Sequence, residues 1–132
     1  MKYLLDTNIC IYVIKQRPAQ VKARFAQVPL GDLGISSITL AELQYGVEKS
    51  QLPAKSRQAL QQFVAALEIY DFDDSATQHY GRIRTYLEQK GTPIGSLDTL
   101  IAAHALSLKA TLVTNNVKEF QRVPGLTIEN WL

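Results

Sequence analysis

Short apolar runs alternate with longer stretches of helical spacing along this chain of 132 residues. Runs at 2–5, 33–36, 68–71, 111–113 and 126–128 predict five short strands, because leucine, isoleucine, valine and tyrosine crowd there between polar breaks. Four apolar stripes recur every three or four residues and predict helices. They are Leu40, Leu43 and Val47; Leu60, Val64 and Leu67, with Phe63 beside them; Ala76, Tyr80, Ile83 and Leu87; and Leu97, Ile101, His104 and Leu108. Breakers stand where such helices must start or stop: Pro18, Pro29-Leu30-Gly31, Pro53, Gly91-Thr92-Pro93 and Gly95. Strands separated by long helices imply an α/β fold, a parallel sheet covered on both faces, with right-handed crossovers. In such a fold a ligand site lies beyond the carboxyl ends of the strands.

Composition narrows this picture. A hydrophobic fraction of 46% suffices for one core, and no repeat, linker or low-complexity segment divides the chain, so residues 1–132 read as a single domain. No apolar run approaches the ~20 residues of a membrane-spanning helix. Asp6 interrupts the short apolar start, which argues against a secretory leader. The single cysteine, Cys10, excludes an internal disulfide and a cysteine-based zinc site. A soluble cytoplasmic protein is expected. The net charge of +2 permits a nucleic-acid partner without arguing for one.

The candidate chemistry lies in polar residues at informative places. Asp6 follows Tyr3-Leu4-Leu5 and precedes a helix start, so it stands at the carboxyl end of the first strand. Thr114-Asn115-Asn116 occupies the same kind of place after the fourth strand. Glu42 shares a helix face with Ile38 and Tyr45, and Asp98 with Ile101 and Ala102. An ionised carboxylate against apolar surface is costly unless a cation or hydrogen-bond donors compensate it. Acids converging on one rim raise each other's pKa, and a divalent cation removes that penalty. An all-oxygen set suits Mg²⁺ or Mn²⁺.

Each residue also has an ordinary reading. Asp6 can be a helix N-cap, Asp98 a partner of its helix dipole, Glu42 a hydrogen-bonded half-buried acid, and Asn116 a turn residue. His79 and His104 fall on apolar stripes and read as packing residues. Cys10 reads as a small buried hydrophobe, and Lys15, Arg17, Arg24, Arg82 and Arg84 as solvated faces, some within reach of phosphate. Spacing alone leaves both readings open.

Four blocks together are more specific. Leu4-Leu5-Asp6-Thr7-Asn8, Ser36-Ser37-Ile38-Thr39-Leu40-Ala41-Glu42-Leu43, Asp98-Thr99-Leu100-Ile101-Ala102-Ala103 and Val113-Thr114-Asn115-Asn116-Val117-Lys118-Glu119-Phe120 resemble, in order and spacing, the PIN-domain family. Within it the chain is similar to VapC-type toxins of bacterial type II toxin–antitoxin pairs. Gly46-Val47-Glu48-Lys49-Ser50 and the ending from Phe120 through Trp131 add to that likeness. The resemblance implies a PIN-like three-layer fold, with a central parallel sheet of four or five strands between helices. It also implies a Mg²⁺- or Mn²⁺-dependent endoribonuclease that leaves a 5′-phosphate and a 3′-hydroxyl. Asp6, Glu42, Asp98 and Asn116 are then the catalytic positions, with Asp6 and Asp98 the direct metal ligands. Asn116 stands at or near the family's fourth acidic position, Glu119 is the nearest acid able to compensate, and Thr7 and Thr114 are hydroxyls that orient the carboxylates. The implied substrate is transfer RNA, with the initiator's anticodon loop foremost. The implied partner is a VapB-type antitoxin, in a complex built on a toxin homodimer. The stripes after Pro18 and Pro53 are the expected docking surfaces.

Three rival readings follow from the same residues. A receiver-like domain needs a phospho-acceptor such as Asp71 and a late lysine, but Lys109 and Lys118 are poorly placed for that role. A PIN-like domain that binds RNA or protein without cutting is suggested by Asn116. Haloacid-dehalogenase chemistry needs an acid where Asn8 stands.

Overall fold

The computed structural model describes residues 2–132. Five parallel strands, β1 (Tyr3–Leu5), β2 (Leu33–Ser36), β3 (Glu68–Tyr70), β4 (Thr111–Val113) and β5 (Ile128–Glu129), form one sheet in the order β3-β2-β1-β4-β5. Seven helices among the described residues connect and cover them: α1 (Thr7–Lys15), α2 (Ala19–Gln27), α3 (Ser37–Glu48), α4 (Pro53–Val64), α5 (Asp74–Gln89), α6 (Ser96–Leu108) and α7 (Val117–Phe120). The α/β, three-layer expectation holds, with five strands.

Strand alternation sorts the core into two layers. Leu5, Ile35 and Val113 face one side, where they pack with Ile9, Val21, Leu43, Leu60 and Phe63 from α1 to α4. Leu4 and Leu112 face the other, with Ile83, Leu87, Ile101, Ala102 and Phe120 from α5 to α7. Gly34 is required on β2, because a Cβ there would stand 2.4 Å from Tyr70 Cε2 on the neighbouring strand.

The elements differ from expectation at their ends. The fifth strand begins at Ile128, since the turn at Gly125 (φ 80°) brings Leu126 N–H toward Val123 O, and pairing starts only at Leu112↔Ile128. Helix α4 stops at Val64, so Leu67 packs on the core from the connection beyond it. Leu97, on the predicted apolar stripe of α6, is 48% exposed, because the first turn of that helix lies at the rim of an open cavity. Arg24 is half-buried rather than a plain solvated residue: it pairs with Glu129, whose carboxylate also accepts from Trp131 Nε1 at 2.9 Å.

In this strand order, β1 and β4 are the neighbours from which the chain winds outward in opposite directions. Their carboxyl ends flank the crevice in which such folds bind ligands.

Candidate active site

Asp6 follows β1, and its N–H bonds Val113 O at 3.0 Å, so the β1–β4 ladder carries it to the crevice. Its carboxylate caps α1, accepting from Ile9 N–H at 2.9 Å. Ser36 ends β2 and caps α3 through Ile38 N–H at 3.0 Å, which sets the phase of that helix and places Ile38 and Glu42 on one face. Asp98 sits in the first turn of α6, where the helix dipole favours a negative charge. These segments line one cavity of about 220 Å³, formed by Asp6, Thr7, Asn8, Ile38, Glu42, Leu97, Asp98 and Ile101. Three candidate acids from three distant blocks thus share one crevice with the apolar side chains of Ile38, Leu97 and Ile101.

The loop after β4 supplies the connection between two of those acids. Thr114 is fully buried; its Oγ1 accepts from Asn116 N–H at 2.9 Å, and its hydroxyl stands near enough to the Asp6 carboxylate to favour that group's ionised form. Asn116 Nδ2 donates to Glu119 Oε2 at 2.8 Å, and Glu119 in turn shares a hydrogen bond with Asp98. A chain of contacts therefore runs Asp6–Thr114–Asn116–Glu119–Asp98. In it Asn116 orients Glu119, and Glu119 is the acid set against Asp98. Thr7 lines the cavity, but its hydroxyl bonds Thr39 at 3.5 Å instead of a carboxylate.

Burial raises the pKa of Asp6 above the ordinary carboxylate value, against the opposing pull of Thr114 and the backbone N–H groups of Ile9 and Asn8. Asp98 is pushed up to about 6, first by burial, then by its bond to Glu119 and by the charges of Glu119 and Asp6. Glu119 is held below its usual value by the bonds from Asn116 and Asp98. Below about pH 6 the two directions fit one arrangement, a neutral Asp98 donating to an ionised Glu119.

Among the described residues, no three His, Cys, Asp or Glu side chains stand close enough to make a finished metal centre. The bonding accounts for this: Asp6 is engaged by its helix cap and Thr114, and Asp98 turns toward Glu119. The donor set nonetheless suits a hard cation that takes one or two protein carboxylates and fills its shell with water and phosphate.

Of the other polar residues, His104 is buried on α6, where its Nδ1 meets Ser36 Oγ at 2.7 Å and its ring packs edge-on to Phe72. His79 bonds Ser75 O on α5, and Cys10 is fully buried. Asp71 follows the edge strand and does not line the acid cavity, which removes the geometry a receiver-like acceptor requires. The sequence placed Asn115 at the end of the fourth strand but not its partner: its amide donates to Tyr12 OH at 3.1 Å and ties the β4 loop to α1. No spacing signal could have paired residues so far apart.

A second, larger cavity of about 640 Å³ lies between α1, α3 and α4. Its floor includes Ile11, Ile14, Leu43, Val47 and Leu60; Lys15, Lys49 and Lys55 also line it, and Glu42 belongs to both cavities. The stripe after Pro53 contributes to this groove and α2, after Pro18, does not, because α2 packs beside α1 away from α3.

Fold and site define a doubly wound α/β domain with a carboxylate-lined crevice at the switch point of its sheet. The PIN domain profile matches residues 3–126, and the chain belongs to that family. It is 47% identical to a protein of Shigella flexneri named tRNA(fMet)-specific endonuclease VapC, over 99% of this chain and 98% of that one. It is 50% identical to ribonuclease VapC2 of Rickettsia felis, with the same coverage. Among solved structures, VapBC2 of Rickettsia felis bound to a promoter DNA fragment matches with a TM-score of 0.94 at 49% identity, over the full length of both chains. DNA-bound VapBC of Salmonella typhimurium matches with a TM-score of 0.94 at 45% identity, over 100% of this chain and 99% of that one.

Proposed function

We propose that this chain is the toxin of a type II toxin–antitoxin pair, a single-domain cytoplasmic endoribonuclease that hydrolyses RNA phosphodiesters with a divalent cation, Mg²⁺ or Mn²⁺. The observation that carries the reading is the meeting of Asp6, Glu42 and Asp98 in one cavity beyond the carboxyl ends of β1 and β4. Asp6 and Asp98 are the residues that hold the cation, and Glu119 is the acid paired with Asp98. When bound, the cation supplies charge for the phosphate and lowers the pKa of water.

The chain's own groups do the rest. Thr114 fixes the Asp6 carboxylate, and the Asn116 amide fixes Glu119, so the acids are oriented before substrate arrives. Glu42 accepts a hydrogen bond from the attacking water. Ile38 and Ile101 give the cavity an apolar lining beside the acids. Attack of water on phosphorus leaves a 5′-phosphate and a 3′-hydroxyl. The substrate class is transfer RNA, and the name of the Shigella flexneri relative favours the initiator; the anticodon loop is our proposed cut position.

The partner is a VapB-type antitoxin, as in the VapBC complexes the fold resembles, acting on a toxin homodimer. The apolar groove of α1, α3 and α4 suits its amphipathic segment, since Glu42 connects that groove to the acid cavity.

Purified protein incubated with total RNA, with and without Mg²⁺, tests the activity by sequencing of the cut ends. Metal-dependent cuts that disappear in Asp6→Asn and Asp98→Asn support it. Cutting that survives both substitutions, or RNA binding without any cutting, removes it.

A further inference from the structure

We infer that the cleft between α5 and the 91–95 turn, walled by Arg84 and Tyr80, is a subsite for an RNA phosphate and base beside the cleaved bond. The inference rests on the ribonuclease reading. The cleft measures about 200 Å³ and is lined by Tyr80, Arg84, Leu87, Glu88, Pro93, Ile94, Ser96 and Thr99. It adjoins the acid cavity through a single helical turn. Ser96 and Thr99 on one face of α6 line the cleft, while Leu97, Asp98 and Ile101 on the adjacent face line the cavity. With a helix diameter of about 10 Å, a strand passing over this turn reaches both within one or two nucleotides.

The cleft is built, not a gap between mobile parts. Helix α5 closes with Gly91 at φ 69°, its N–H on Glu88 O at 3.1 Å and the N–H of Thr92 on Leu87 O at 2.9 Å. Arg122 pins the opposite wall by donating to Pro93 O at 3.1 Å. Arg84 Nη1 donates to Tyr80 OH at 3.0 Å, and the guanidinium lies 6.0 Å from the centre of the Tyr80 ring.

This pairing of a planar cation with an aromatic ring is the chemistry that binds a phosphate and stacks a base in single-stranded RNA. Among the described residues the acid paired with Arg84 is Glu88, at 3.4 Å, with both side chains more than half exposed. Such an exposed pair is weak, and a phosphate in the cleft displaces it. Glu88 therefore opposes RNA binding while Arg84 favours it.

That opposition gives the test. Cleavage of initiator tRNA with Mg²⁺ is measured for the wild type, Arg84→Ala, Glu88→Gln and the surface control Arg57→Ala, which breaks a comparable exposed pair with Glu48. Arg84→Ala raises KM about tenfold with kcat within about twofold, and lowers the salt slope of binding, measured in the uncut Asp98→Asn background, by about 0.7. Glu88→Gln shifts KM in the opposite direction, about threefold down. A role confined to the Arg84–Glu88 ion pair predicts the same direction for both. If the wild type cuts RNA and Arg84→Ala matches Arg57→Ala, or Glu88→Gln weakens binding as Arg84→Ala does, the subsite is refuted and the ribonuclease stands. If the wild type cuts no RNA, the ribonuclease reading falls and the subsite with it.

Discussion

Ser36 and His104 meet in the interior through a 2.7 Å hydrogen bond, and that contact ties the helix bearing Glu42 to the helix bearing Asp98. Ser36 is also the cap of α3, so one hydroxyl sets both the start of that helix and its distance from α6. Ser36→Ala removes the cap and leaves His104 Nδ1 buried without its partner. The expected loss of stability is about 2–4 kcal/mol. His104→Phe costs less, because Ser36 keeps its bond to Ile38. The double substitution costs less than the sum, by about 1 kcal/mol, in a urea-denaturation cycle.

Asp98 sets the pH behaviour of the cation-free protein. Its pKa is raised to about 6 in the folded state from 3.8. A carboxyl so raised contributes its stability in full below about pH 4 and loses it as pH rises through 6. Asp98→Asn escapes that loss. In EDTA above pH 6 it is more stable than the wild type by about 1 kcal/mol, after discounting for the half-exposed position, and Tm rises by about 3–5 °C. The two proteins converge toward pH 4. A constant offset across this range would refute the account.

Cation binding reverses the comparison. The wild type at pH 8 gains about 1.4 kcal/mol when Mg²⁺ is present at ten times its dissociation constant. Asp6→Asn and Asp98→Asn gain little, and the wild-type gain fades below pH 6 as Asp98 takes up its proton. Thermal melts with and without Mg²⁺ check each part.

Asn116 acts through Glu119. Asn116→Ala frees Glu119, the partner of the proposed ligand Asp98, and lowers kcat about tenfold with the fold unchanged. Asn116→Asp sets a second negative charge against Glu119 and is worse at neutral pH than at pH 5. Glu119→Gln lowers the pKa of Asp98, which moves the acidic limb of the pH–rate profile downward.

The apolar groove is separable from catalysis. Leu52 lines it and is 61% exposed. Leu52→Glu weakens antitoxin binding at least about tenfold, as an interface anchor does, while Tm and RNA cleavage stay as in the wild type. Titration calorimetry with the antitoxin's C-terminal peptide measures it.

Much of this was legible in the chain. Strand runs such as 33–36 and 111–113 coincide with observed strands, because buried parallel strands are short and apolar on both faces. The β5 boundary slipped because Leu126 is apolar for packing against the helices, not for pairing. Asp6, Glu42 and Asp98 stood out as acids in apolar company, and they do line one cavity. The task of Glu119 was not readable. Whether a side chain three residues beyond Asn116 faces the crevice depends on where the short helix α7 begins and ends.

By itself, then, the order of residues determined the alternation of strands and helices, the parallel sheet, and the acids fit for a hard cation. Those properties depend on local periodicity and on the cost of leaving charge against apolar surface. Only the tertiary structure decided which distant groups touch: Thr114 on Asp6, Glu119 on Asp98, His104 on Ser36, and Arg84 over Tyr80 beside the first turn of α6. Contacts between residues far apart in the chain are set by sheet order and helix packing, to which no single stretch of residues has access.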